Sequence, residues 1–254
     1  MSRPAPLSRS VIALASMELR LALRRGENLL IMILIPVAVL LTFGGLRVIP
    51  LAGGSVVDFL LPGSIALAII ATSLVNLGIA TAYERSYGVL KRLGGSPLPR
   101  GGLVAAKVIA VLAIEVAQVV LLIATAIVVL GWSPPLGFSG PTALALIVVG
   151  VILGTLAFAG LGLLMAGRLR AEATLALANG LFLAFLLLGG IVLPLDHLPS
   201  WLVPIASILP ANALADLFRA ALGDSTTNVL ADLANLVIWG GVASGLATRT
   251  FRWE

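Results

Sequence analysis

Six stretches of this chain, 29–46, 59–82, 104–130, 143–166, 175–193 and 229–247, run almost without charge. Each is close to the ~20 residues that an α-helix needs to cross a hydrocarbon layer of about 30 Å. Inside that layer no water bonds to backbone N–H and C=O groups, so a spanning segment must satisfy its own, and the helix does so within one segment. The pattern predicts an all-α, polytopic integral membrane protein with six transmembrane helices. Composition agrees. Of 254 residues, 60% are hydrophobic and 11% charged, less than half the ~25% charge of a soluble domain. So little charge cannot cover a water-facing surface, and disorder requires the opposite balance. The chain has no cysteine and one histidine, His197. Disulfides, thiolate chemistry and polyhistidine metal sites are therefore excluded.

The segments between the runs are equally distinctive. Residues 1–27 are basic, then amphipathic, with Ile12, Ala15, Leu19 and Leu23 on one helical face and Arg20 and Arg24 on another. That pattern predicts an interfacial helix at the N-terminus, with a plain tail as the alternative. Residues 83–102 form the most charged internal stretch. Residues 194–223 carry Pro194, Pro199, Pro204 and Pro210, and proline breaks a spanning helix. Two short interfacial or re-entrant helices, 198–209 and 211–222, are expected there before the last span. All of 1–254 reads as one transmembrane domain.

Six spans bring both termini to one side of the membrane. On that side fall fourteen of the sixteen Lys and Arg residues, with only Arg47 and Arg219 opposite. The positive-inside rule then places both termini in the cytoplasm and residues 194–223 outside. The basic residues are spread over several loops rather than gathered into one patch, which excludes nucleic acid as a partner.

No Gly-Lys-Ser/Thr, His-Glu-x-x-His or Gly-x-Ser-x-Gly pattern occurs, so no catalytic residue or metal site is assigned to this chain. Glu115 and Gln118 lie three apart and share a face of the third run. They form a candidate substrate path, or else a packing group paired with Lys107 or another polar group. Asn76, Asn179, Asp232 and Asn235 read as helix–helix hydrogen-bonding residues, and Gly150-x-x-x-Gly154 and Gly241-x-x-x-Gly245 as packing signals. Asp216 and Arg219, three apart on the second short helix, are expected to form a local pair; together with Trp201 they are either an outer lid or an interface anchor. In the 83–102 loop, residues 86–93 suit a short helix with Leu90 and Leu93 on one side and Lys91 and Arg92 on the other, stopped by Gly94-Gly95. Such a helix is a docking knob for another protein, or a simple basic anchor.

At this point the residues resemble a family. Pro62-Gly63, then Glu84-Arg85-x-x-Gly88-x-Leu90-Lys91-Arg92-Leu93, Ser96-Pro97-Leu98 and Arg100, look like the membrane subunit of ABC-2 type exporters. So do Gly189-Gly190 through Pro194, Pro199 and Trp201, then Pro210 through Leu217-Phe218-Arg219, and the closing Phe251-Arg252-Trp253. Ser86 departs from the pattern, since many members carry a second acid there. The resemblance implies a permease subunit, similar to bacterial drug and natural-product efflux permeases, in the bacterial inner membrane. It implies two separate ATP-binding subunits holding ATP and Mg, with no cofactor on this chain. A second permease subunit, identical or homologous, and membrane lipids complete the partners. Residues 1–27 become the connecting helix and 83–102 the cytoplasmic coupling loop, with Glu84, Arg85, Gly88, Leu90, Lys91, Arg92 and Leu93 docking the ATPase. The expected cargo is hydrophobic or amphiphilic. The alternatives are a glycan or haem-like cargo on the same architecture, and a membrane scaffold or immunity protein that transports nothing.

Overall fold

The computed structural model describes residues 6–24, 26–46, 55–95, 98–134, 140–223 and 227–250. Every regular element among them is helical: α1 (Leu7–Arg24), α2 (Gly26–Leu46), α3 (Val56–Ser86), α4 (Val89–Gly94), α5 (Arg100–Leu130), α6 (Pro141–Arg168), α7 (Ala171–Leu188), a 3₁₀ turn (Leu195–His197), α8 (Val203–Ile208), α9 (Pro210–Ala221) and α10 (Val229–Thr250). Five helices, α3, α5, α6, α7 and α10, are long and apolar enough to cross a membrane. The first of the six expected spans is α2, whose apolar stretch Leu30–Gly45 is shorter. Arg3, Arg25, Arg47, Ser96, Pro97, Asp224 and the closing Phe251-Arg252-Trp253 lie outside the described residues.

α3 is the axis of the bundle. Its apolar window is 78% buried, against 17% for α10 at the periphery. It packs against α2, α5, α6, α7 and α9, while α1 lies along α5 and α10 along α6. The start of α3 is fixed by a capping box. The Val57 N–H donates to Ser55 Oγ at 3.2 Å, and the Ser55 N–H donates to Asp58 Oδ2 at 3.3 Å, which satisfies donors that a helix N-terminus leaves over. Trp132, in the loop after α5, donates its indole N–H to Asp58 Oδ1 at 2.6 Å.

Midway along α3, residues Ile70–Asn76 form a π turn, in which the Leu77 N–H reaches back to the Thr72 carbonyl. Gly162 of α6 lies against the carbonyls so displaced: a Cβ there would stand 2.8 Å from Leu74 O and 3.0 Å from Ser73 O. Two residues earlier on α6, Gly160 lets α10 cross closely, since its Cβ would meet Ser244 N at 2.6 Å. Ser244 Oγ donates to Leu156 O at 2.8 Å beside that crossing.

Four expectations change. Residue 86 closes the spanning helix instead of opening the short one; Gly88, at φ 72°, reverses the chain before α4. The stretch 198–209 is not one helix but a bend, a turn and the six-residue α8, preceded by the 3₁₀ turn at Leu195–His197. α9 does not lie on the surface of the bundle; it is buried among α3, α6 and α10, which fits the re-entrant alternative. Finally, Gly150 and Gly154 do receive close neighbours, Phe218 and Leu214 of α9, whereas Gly241 and Gly245 have nothing within 4 Å of a built Cβ. Two glycines four apart on a helix allow an approach without requiring one.

Gly160→Ala should therefore destabilise the protein by about 1–3 kcal/mol through overpacking. Gly241→Ala should be neutral, or stabilising by up to about 1 kcal/mol through helix propensity. Thermal unfolding of the two purified variants checks the contrast.

Candidate functional site

At the end of the bundle rich in basic residues, Lys107 of α5 is almost wholly buried, 2% exposed. Its Nζ donates to Glu18 Oε1 of α1 at 2.9 Å and to Glu84 Oε2 of α3 at 2.6 Å. Three helices thus meet on one ammonium group. A buried ion pair adds little net stability over an apolar substitute, but removing one member leaves an uncompensated charge. Next to Glu84, the Arg85 guanidinium donates to the Leu169 carbonyl between α6 and α7. Glu84 and Arg85, expected on a docking rim, are thus engaged within the chain.

Leu90 requires the clearest correction. Expected to face a partner, it is 0% exposed and packs in a cluster with Leu14 and Ala15 of α1 and Leu103 and Ala106 of α5. Leu93 rests partly on the same cluster. The apolar face of α1 that packs is Val11, Leu14 and Ala15, whereas Ile12 and Leu23 are exposed, as are Arg20 and Arg24. What the α4 loop presents outward is Tyr87, 74% exposed, with Val89, Lys91 and Arg92. Gly88 shapes this loop by its left-handed backbone, which a side chain would strain.

Between α2, α3 and α7 lies a cavity of about 650 Å³. Ile31, Met32 and Ile35 of α2 form one wall; Ala71, Val75 and Asn76 of the π turn form another; Asn179 and Phe182 of α7 form the third. It extends along α3 to Tyr83, Glu84 and Tyr87, so it reaches the basic end. Its lining is mostly apolar, and Asn76 and Asn179 are the amides in it. Sequence reasoning assigned those two to helix–helix bonding; a polar residue on an otherwise apolar spanning face was the available signal.

Glu115 and Gln118 do not line this cavity. They are buried behind it, and neither bonds to Lys107. Glu115 accepts the Ser73 hydroxyl at 2.5 Å and the Thr155 hydroxyl. Gln118 accepts the Thr72 hydroxyl at 2.9 Å and donates to the Met32 carbonyl at 3.3 Å.

At the opposite end, Arg219 and Asp216 pair at 2.6 Å, as their spacing implies, and Asn212 Nδ2 donates to Asp216 Oδ2 at 2.9 Å. Arg219 also donates to the Gly190 carbonyl and stacks 4.2 Å over the Phe59 ring. Trp201 is 68% exposed. The structure therefore makes the pair an internal tie between α9, α3 and the turn after α7, rather than joining it to Trp201. His197 is exposed beside Asp196. Among the described residues no group of three or more His, Asp or Glu side chains could hold a metal ion.

Lys107→Met should release α1, because it removes the cation that joins Glu18 of α1 to α5, at a cost of about 3–5 kcal/mol. Limited trypsinolysis after Arg20 and Arg24 should accelerate markedly in that variant and much less in Glu18→Gln.

A sequence model of the ABC-2 type transporter matches residues 9–222. ABC transporter G family member 20 of Dictyostelium discoideum is 28% identical over 174 residues, which are 66% of this chain and 23% of that protein. The chain therefore spans about a quarter of that relative's length. The family match runs from the first residues of α1 to the end of α9, through the Lys107 tie, the cavity and the Arg219 tie: the chain is a multi-pass membrane protein that belongs to the ABC-2 type transporter family.

Proposed function

We propose that this chain is the permease subunit of an ATP-driven exporter that carries a hydrophobic or amphiphilic molecule from the cytoplasm or inner leaflet outward. The observation that carries the reading is the cavity of about 650 Å³, whose walls are mostly apolar and which extends to the basic end. That size suits a drug-like or lipid-like molecule. An apolar lining favours such a cargo over a glycan, which would leave many hydroxyls unpaired.

The family implies association with an ATP-binding subunit. In this proposal two such subunits hold ATP and Mg, and two permease subunits, identical or homologous, face each other across the cavity. The protein resides in the bacterial cytoplasmic membrane, with the termini and the α4 loop cytoplasmic. The ATPase docks on Tyr87, Val89, Lys91 and Arg92, the residues that α4 and its entry leave exposed. Leu90 and Leu93 do not dock; they fasten α4 to α1 and α5, so a push on α4 moves those helices with it. Lys107 extends the same body to α3 through Glu84, and α3 forms a wall of the cavity. Closure of the ATPase dimer would thus move that wall as part of a rigid unit.

Two measurements test this. Co-purification in mild detergent should recover an ATP-binding subunit with the chain, and Tyr87→Ala with Val89→Asp should weaken that association about tenfold while the chain stays folded. Leu90→Asp should unfold the basic end instead. Val75→Trp should put an indole across the cavity and narrow it, sharply reducing ATP-driven transport of a hydrophobic dye into inverted vesicles without loss of ATPase association. Full transport in Val75→Trp would overturn the cavity assignment, and a chain that purifies alone would overturn the partner assignment.

A further inference from the structure

A proline inside a helix cannot donate to the carbonyl four residues back. In α2 the proline is Pro36, and the carbonyl it leaves over is that of Met32. Water would supply a donor in an aqueous domain; within hydrocarbon another protein group must do so. The donor is Gln118 Nε2 of α5, at 3.3 Å. The other end of the same amide accepts from Thr72, in the π turn of α3, at 2.9 Å. One side chain therefore joins two places where neighbouring helices depart from regular α geometry. An amide suits the position because it is a donor and an acceptor at once.

Both departures bear on the cavity. Met32 lies in one wall and the π-turn residues Ala71, Val75 and Asn76 in another, while α5 contributes no lining residue. One turn before Gln118, Glu115 binds Ser73 of the same π turn and Thr155 of α6. α5, α3 and α6 are thus fixed to one another independently, and Gln118 is the side chain that carries that frame across to α2.

We propose that Gln118 is a positioning residue: it holds the α2 wall at a set reach from the π turn, and so sets the width of the cavity and the size of molecule it admits. The claim about admitted cargo rests on the cavity being the transport path; the claim about width does not.

The chain has no native cysteine, so Val75→Cys supplies a single reporter in the cavity wall. The full chain in lipid nanodiscs is treated with a compact and a bulky methanethiosulfonate, and the ratio of the two modification rates reads the width without any substrate. Gln118→Met should raise the bulky-to-compact ratio by about threefold or more, the scale of one interhelical hydrogen bond in a membrane. Pro36→Ala returns a backbone donor to Met32. In that background the effect of Gln118→Met should shrink to half or less, a coupling that general loss of packing would not produce. Should Gln118→Met fail to elute as a single species, Thr72→Val, which releases the other end of the amide, takes its place with the same rise expected. An unchanged ratio, or an equal rise in both backgrounds, overturns the positioning role. The Val75→Trp transport measurement separately decides whether the cavity is the transport path.

Discussion

In hydrocarbon a backbone carbonyl without a donor has no water to turn to, and at four interruptions among the described residues a side chain of another helix supplies the donor. Pro36 deprives Met32, and Gln118 supplies the donor. α8 ends before Pro210, and Asn235 and Trp239, one turn apart on α10, both donate to the Ile208 carbonyl. The left-handed Gly190 turns the chain after α7, and Arg219 takes its carbonyl. The α6–α7 turn leaves the Leu169 carbonyl, and Arg85 takes that. In each case the repairing side chain comes from a different helix. These interruptions are therefore places where the tertiary structure is joined, through Gln118, Asn235, Trp239, Arg219 and Arg85.

Lys107 follows the same logic with charge. Its position in the third apolar run looks like one more basic residue on the cytoplasmic side. The structure instead uses it to draw α1 and α3 onto α5 through Glu18 and Glu84. In such a chain, basic residues that orient a protein by their contact with the membrane surface and basic residues that hold helices together look alike in a count. Burial separates them.

The apolar runs were legible because helix is the structure hydrocarbon permits, and the Asp216–Arg219 pair because spacing of three fixes neighbours on any helix. Orientation of short elements was not. α4 has six residues, too few for periodicity to say whether Leu90 points to a partner or back into the chain; α1 lying across α5 decides it. The reach of Glu115 and Gln118 was equally hidden. Their shared face was readable, but their partners Ser73, Thr155, Thr72 and Met32 lie more than 35 positions away in sequence. The π turn left no trace in composition, because an extra residue in an apolar run is still apolar.

That extra residue also sets an angle. An α-helix advances about 100° per residue, so the half of α3 after Ile70–Asn76 is turned by roughly that amount from where an uninterrupted helix would carry it. Glu84 meets Lys107, and Arg85 meets Leu169, with this offset in place. If the seven-residue turn tightened to α geometry, those side chains would sweep off their partners while the first half of α3 stayed still. The middle of the membrane and the basic end of the protein are thus geared together by rotation about one helix axis.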